Sequence, residues 1–191
     1  MTWLRRGAAI VSAVGHPLIS TTAFLCFIAA RYSAEVPFYQ VAIVVGCIVV
    51  PLSVWNLRRT RAGTYSNFDV SVRTERTSMY WVLLGLTALA TFLIWWVPAD
   101  RHMQLGMTCM LGVVIVSSVA NRWTKASLHA ATSFFLSLAG WLVDKRLGAA
   151  FFVFSIMIAA SRLILRRHTL SEILIGTFIG LVAGAIFLAA G

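Results

Sequence analysis

Most of this chain consists of apolar runs about as long as a bilayer core is thick, and that constrains its fold more than any other feature. About 20 apolar residues of helix cross the hydrocarbon region. Runs at roughly 8–30, 37–57, 79–97, 103–120, 127–143, 147–165 and 170–190 meet or nearly meet that length. The pattern predicts an all-α polytopic transmembrane helix bundle of seven spans, with six as the alternative, and a single integral membrane domain over residues 1–191. Pro17 lies early in the first run, where its missing N–H costs a helix least. Gly176, Gly180 and Gly184 recur every four residues along one face of the last run, which lets another helix approach closely.

Composition excludes the main alternative. Of the 191 residues, 60% are hydrophobic and 12% charged, and a fold this small cannot hide that much apolar surface from water. Sixteen Lys+Arg oppose six Asp+Glu. On a soluble protein that excess would suggest nucleic acid; on a membrane protein it points to anionic headgroups, phosphate chemistry or topology signals, and no nucleic-acid partner is expected. Cys26, Cys47 and Cys109 lie inside apolar runs without metal-ligand spacing, as small hydrophobes do. Basic residues precede the first run, but no small-residue cleavage site follows a short apolar core, so a span that stays attached is expected instead of a signal peptide.

Seven spans sort the loops onto two sides. One side holds the N-terminus, the 58–78 loop, the 121–126 loop and the 166–169 turn; the other holds 31–36, 98–102, 144–146 and the C-terminus. Twelve of the sixteen basic residues fall on or near the first side, only Arg31, Arg101, Lys145 and Arg146 on the second. Removing four that also suit a ligand (Arg73, Arg76, Lys125, Arg162) leaves eight against four, so the first side is expected to be cytoplasmic. The expected setting is a prokaryotic plasma (inner) membrane. Trp3, Trp55, Trp81, Trp95, Trp96, Trp123 and Trp141 mostly fall near span ends, as interfacial anchors do.

Three polar clusters share that side and carry more than basic charge. The first is Asp69-Val-Ser-Val-Arg73-Thr-Glu75-Arg76, the second Lys125-Ala-Ser127-Leu-His129, and the third Ser161-Arg162 followed by His168 and Glu172. If the last helix starts near Thr169, Glu172 lies one turn from His168, where a carboxylate fixes the imidazole tautomer and makes the other nitrogen more nucleophilic. The planar guanidinium of Arg162 suits phosphate oxygens. Lys125, Ser127 and His129 stand at the positive end of a helix. Two histidines with different partners suit a two-step transfer, one attacking phosphorus and one protonating the leaving oxygen. His16 and His102 carry no motif; His16 is expected to pack beside Pro17, and His102 lies on the opposite side from the clusters.

Ser161-Arg162-x5-His168-x3-Glu172, preceded by Ser127-x-His129 at a helix start, resembles the third and second signatures of the type 2 phosphatidic acid phosphatase (PAP2) superfamily, whose helical fold is shared with vanadium haloperoxidases. The third signature of that family ends in Asp where this chain has Glu172, one methylene longer. The second reads Pro-Ser-Gly-His where this chain has Ala126-Ser127-Leu128-His129. For the first, Lys-x6-Arg-Pro, the nearest match is Asp69 to Thr77, with Arg76-Thr77 in place of Arg-Pro and Asp69 in place of Lys; Arg73 or Lys125 are the two substitutes for the missing cation. Two apolar spans also separate the first and second clusters, where many members have an extramembrane loop. The resemblance covers about residues 66–190.

What the resemblance implies is metal-independent hydrolysis of a lipid-linked phosphate, a phospholipid or polyprenyl phosphate or diphosphate, with no cofactor. His168 would form a phosphohistidine assisted by Glu172, and His129 would protonate the departing group. Arg162, Ser127, Lys125, Arg76 and Arg73 would hold phosphate oxygens. The site would lie on the cytoplasmic face, suiting a lipid phosphate made on the inner leaflet. Asp69 and Glu75 alone make a poor Mg²⁺ cage. Two alternatives remain beside this expectation: a small transporter or lipid flippase using the His/Glu cluster, and a catalytically silent lipid-binding relative, which the missing Lys and Pro make plausible.

Overall fold

A computed structural model of the chain describes residues 3–31 and 37–191. The first two residues, and the expected 31–36 loop apart from Arg31, lie outside them. The described residues form helices and turns with no strand: α1 (Trp3–Val14), α2 (Pro17–Arg31), α3 (Phe38–Val44), α4 (Val50–Arg61), α5 (Arg73–Trp96), α6 (Arg101–Ala120), α7 (Leu128–Val143), α8 (Lys145–Ile164) and α9 (Leu170–Ala190). Among the described residues, five stretches are long and apolar enough to cross a membrane: Phe38–Arg61, Arg73–Trp96, Arg101–Ala120, Lys145–Ile164 and Leu170–Ala190.

The first apolar run is not one straight helix. It breaks after Val14 into α1 and α2, which bend by 57° and make a sixth candidate span only if taken together. Pro17 is the reason: it opens α2 as its first residue and so ends the hydrogen-bond ladder of α1. The run at 127–143 forms a helix of 16 residues, about 24 Å long against a hydrocarbon core of about 30 Å.

The chain divides into two compact units, Met1–Phe24 with Thr124–Gly191, and Leu25–Trp123. The stretch 66–190 runs through both. In the second unit α3 continues through a π-helical segment, Val45–Val49, into α4. Val50 N–H bonds Val45 O, five residues back, where Pro51 in the next position has no N–H to extend an α-helical ladder. α5 and α6 pack as an antiparallel pair, with Trp95 Nε1 donating to Thr108 Oγ1 at 3.1 Å. The 62–72 loop turns through Gly63 (φ 71°) and Val70 (φ 46°). It is tied to α4 and α5 by Tyr65, whose hydroxyl accepts from Trp55 Nε1 at 3.1 Å and is hydrogen-bonded to Ser78 Oγ at 2.7 Å.

The first unit is built on α7. Residues on every side of that helix are buried, His129 through Ser137 without interruption, and Ser133 and Ser137 turn their hydroxyls back onto Ala130 O and Phe134 O. α9 packs on α7 through the glycine series: a Cβ at Gly176 would lie 2.4 Å from Ser127 O, one at Gly180 2.2 Å from Ala131 O, and one at Gly184 2.7 Å from the Leu138 side chain. The opposite face of α9 carries Leu170, Leu174, Phe178, Val182 and Ile186, all exposed and also four residues apart. One helix thus has a seam for a neighbour and a stripe that suits lipid. α8 closes against α7 where Gly148 would bring a Cβ to 2.6 Å from Trp141 Cα.

Candidate active site

The start of α7, the end of α8 and the start of α9 meet at one end of the first unit, and the polar residues gather there. α8 stops in a turn where Arg166 N–H bonds Leu163 O at 2.9 Å and Arg167 N–H bonds Arg162 O at 3.0 Å, the Schellman pattern. Arg166 takes the left-handed conformation that this pattern requires, with φ 54°. Two residues later Thr169 caps α9 in a reciprocal box with Glu172: Glu172 N–H donates to Thr169 Oγ1 at 3.3 Å, and Thr169 N–H to Glu172 Oε2 at 3.1 Å.

The same carboxylate oxygen accepts from His168 Nδ1 at 2.9 Å, and the His168 side chain is fully buried. A carboxylate only accepts, so Nδ1 carries a proton, and in the neutral ring Nε2 then keeps the lone pair. Lys125 Nζ lies 3.7 Å from that oxygen and donates to Arg167 O at 2.8 Å. A second link joins α7 to α9, because Ser127 N–H donates to Glu172 O at 3.1 Å. Ser127 is the N-cap of α7, its hydroxyl accepting from Ala130 N–H at 3.4 Å, and His129 follows in the first turn, buried.

Arg162 has no exposed surface, and its Nη1 donates to Ser12 Oγ of α1 at 2.7 Å. Burying a guanidinium costs several kcal/mol unless its charge and donors are met, a cost that an arginine snorkelling to the interface avoids. One turn after Ser12, at the break between α1 and α2, the His16 ring stands edge-on to His129, centroids 5.2 Å apart at 84°. Sequence reasoning missed Ser12 and His16. Serine in an apolar helix and a lone histidine beside proline carry no spacing signal, and Ser12 lies 150 residues from Arg162.

Lys125, Ser127, His129, Arg162, His168 and Glu172 therefore belong to one unit, at its one end. Arg73 and Arg76 belong to the other, where they hold backbone carbonyls. Arg73 donates to Trp123 O at 3.0 Å and Arg122 O at 2.8 Å, and the buried Arg76 donates from Nε to Val70 O at 2.9 Å. His102 Nδ1 lies 3.0 Å from Asp100, the N-cap of α6.

Comparison of the chain with protein-family models, curated proteins and solved structures finds no match. Fold and composition define a class: among the described residues, which form helices and turns without strand, five helical stretches, or six spans with the bent pair as one, are long and apolar enough to cross a membrane, which fits an integral membrane protein.

Proposed function

We propose that this chain is a membrane phosphatase of the PAP2 type, with seven passes and a PAP2-like helical core, that hydrolyses a lipid-linked phosphate through His168. The single observation that carries this reading is the buried His168 Nδ1 to Glu172 Oε2 hydrogen bond of 2.9 Å. In the neutral ring it puts the nucleophilic lone pair on the other nitrogen, and the Lys125 ammonium stands 3.7 Å from the same carboxylate oxygen. In the seven-pass count the bent α1–α2 pair is one span and the short, enclosed α7 another.

His168 Nε2 attacks phosphorus, the bond from phosphorus to the lipid oxygen breaks, and that oxygen takes a proton from protonated His129. Water then attacks the phosphohistidine, returning a proton to His129 as the P–N bond breaks and inorganic phosphate leaves. Arg162, Lys125, Ser127 and the first-turn N–H groups of α7 stabilise the equatorial oxygens. The site faces the cytoplasm of a prokaryotic inner membrane, and the substrate's apolar tail lies along the lipid-facing helices. Arg73 and Arg76, anchored on carbonyls, are not part of this proposal.

Phosphate release from a panel of lipid phosphates in EDTA tests the reading. His168→Ala abolishes release, and Glu172→Gln, which keeps the capping box, lowers it by about 10²-fold or more. Release that survives His168→Ala would refute the mechanism. One observation favours the silent lipid-binding relative: Lys125 already holds Arg167 O and Glu172. Headgroup binding without release from any substrate would decide for it. Sidedness is read by single cysteines at Thr64 and Ala99: only Ala99→Cys reacts with an impermeant maleimide added outside, and outside labelling of Thr64→Cys reverses the orientation.

A further inference from the structure

Building on the proposed function, we propose that His16 is a further catalytic residue, whose distal nitrogen shares with His129 the oxygen that departs from phosphorus and then the water that replaces it. His16 is fixed by backbone on both sides. Pro17 follows it, Gly15 before it lies so close to α8 that a Cβ would stand 2.4 Å from the Ile158 side chain, and its carbonyl accepts Ile19 N–H and Ser20 N–H at the start of α2. Its Nδ1 accepts Leu18 N–H at 3.3 Å. Nδ1 is therefore the unprotonated nitrogen, and in the neutral ring Nε2 carries the hydrogen.

The imidazoles of His16 and His129 meet edge to face, and a ring nitrogen of one lies within 4.8 Å of a ring nitrogen of the other. Hydrogen bonds between nitrogen and oxygen are about 2.8–3.0 Å long, so two nitrogens no farther apart than 4.8 Å can bond one oxygen between them. In the first step His16 Nε2–H donates to the lipid oxygen while His129 delivers the proton that ends up on it. In the second, the same N–H orients water as His129 removes its proton; His16 ends each step in the state in which it began. Ser12, one turn earlier on α1, holds Arg162 at 2.7 Å. The break between α1 and α2 thus approaches the phosphate-binding arginine and the proton-transferring histidine together.

His16→Asn and His16→Gln separate this role from helix capping. Asn places its oxygen where Nδ1 was and keeps the cap but has nothing at the distal position; Gln reaches it. With alkyl lipid phosphates, His16→Asn lowers kcat by about 10- to 100-fold with KM little changed, and His16→Gln recovers part of the loss. With p-nitrophenyl phosphate, whose leaving group needs no proton, the rate of the initial p-nitrophenolate burst stays within about threefold of wild type in both variants, while the steady rate that follows falls with the water-dependent second step. Equal losses in the first step on both substrates, or full alkyl activity in His16→Asn, overturn the inference. A second measurement does not depend on turnover: ring ¹⁵N resonances of His129 shift in His16→Asn while those of His168 stay, and unmoved His129 resonances overturn the pairing. Wild-type protein inactive on every lipid phosphate would count against the proposed function alone, leaving the resonances to decide on His16.

Discussion

The two turns that bracket α8 reverse the chain equally well by very different means. Between α7 and α8 a single exposed residue, Asp144, suffices: its Oδ1 accepts from Arg146 N–H at 2.6 Å and Leu147 N–H at 3.2 Å, and Lys145 and Arg146 stay in the open. At the α8–α9 turn the chain buries His168, with Arg162 buried in the last turn of α8, and holds Arg166 at φ 54°. A non-glycine residue there costs about 1 kcal/mol or more. Reversal alone requires none of this. The excess cost at one turn, against its absence at the other, is the physical case for chemistry at the α8–α9 end.

Substitutions break or sharpen that contrast, starting with the largest effect. Gly176→Leu drives a side chain into the Ser127 carbonyl at the α7–α9 seam. Backbone cannot yield there as a flexible side chain would, so the loss should exceed the usual overpacking cost of about 3 kcal/mol, read as failure to purify a monodisperse protein in detergent. Arg162→Leu leaves the Ser12 hydroxyl without its donor and loosens α1; thermal unfolding in detergent should show a loss of about 2–4 kcal/mol, with phosphate release gone. Asp144→Ala removes an N-cap only, costing about 1 kcal/mol while phosphate release per folded molecule is unchanged. Arg166→Gly relieves the left-handed strain and stabilises by about 0.5–1 kcal/mol. A destabilised Arg166→Gly would mean that the arginine side chain contributes more than its backbone costs.

Short-range features of this end were legible from sequence. Thr169-x-x-Glu172 has the spacing of a capping box, and a helix that starts near Thr169 sets His168 and Glu172 one turn apart. The glycine series likewise announced a close neighbour. A hydropathy window, however, sees one apolar run through 8–30 and cannot register that Pro17 ends one helix and begins another. Nor does the sequence say which cations face backbone. Arg73 and Arg162 look alike in the chain, yet one holds the carbonyls of the 122–123 turn and the other a serine hydroxyl contributed from α1. The partners of Ser12 and His16 are set by tertiary packing, which no local spacing encodes.

The two faces of α9 give it an uneven tolerance to genetic change. Exchanging Leu174 or Phe178 for another apolar side chain leaves the seam with α7 untouched. Inserting one residue between Gly176 and Gly180 rotates everything beyond it by about 100°, bringing bulky side chains against the α7 backbone and sending the glycines outward. Among natural variants of this segment, apolar exchanges should therefore accumulate while single-codon insertions and deletions are purged.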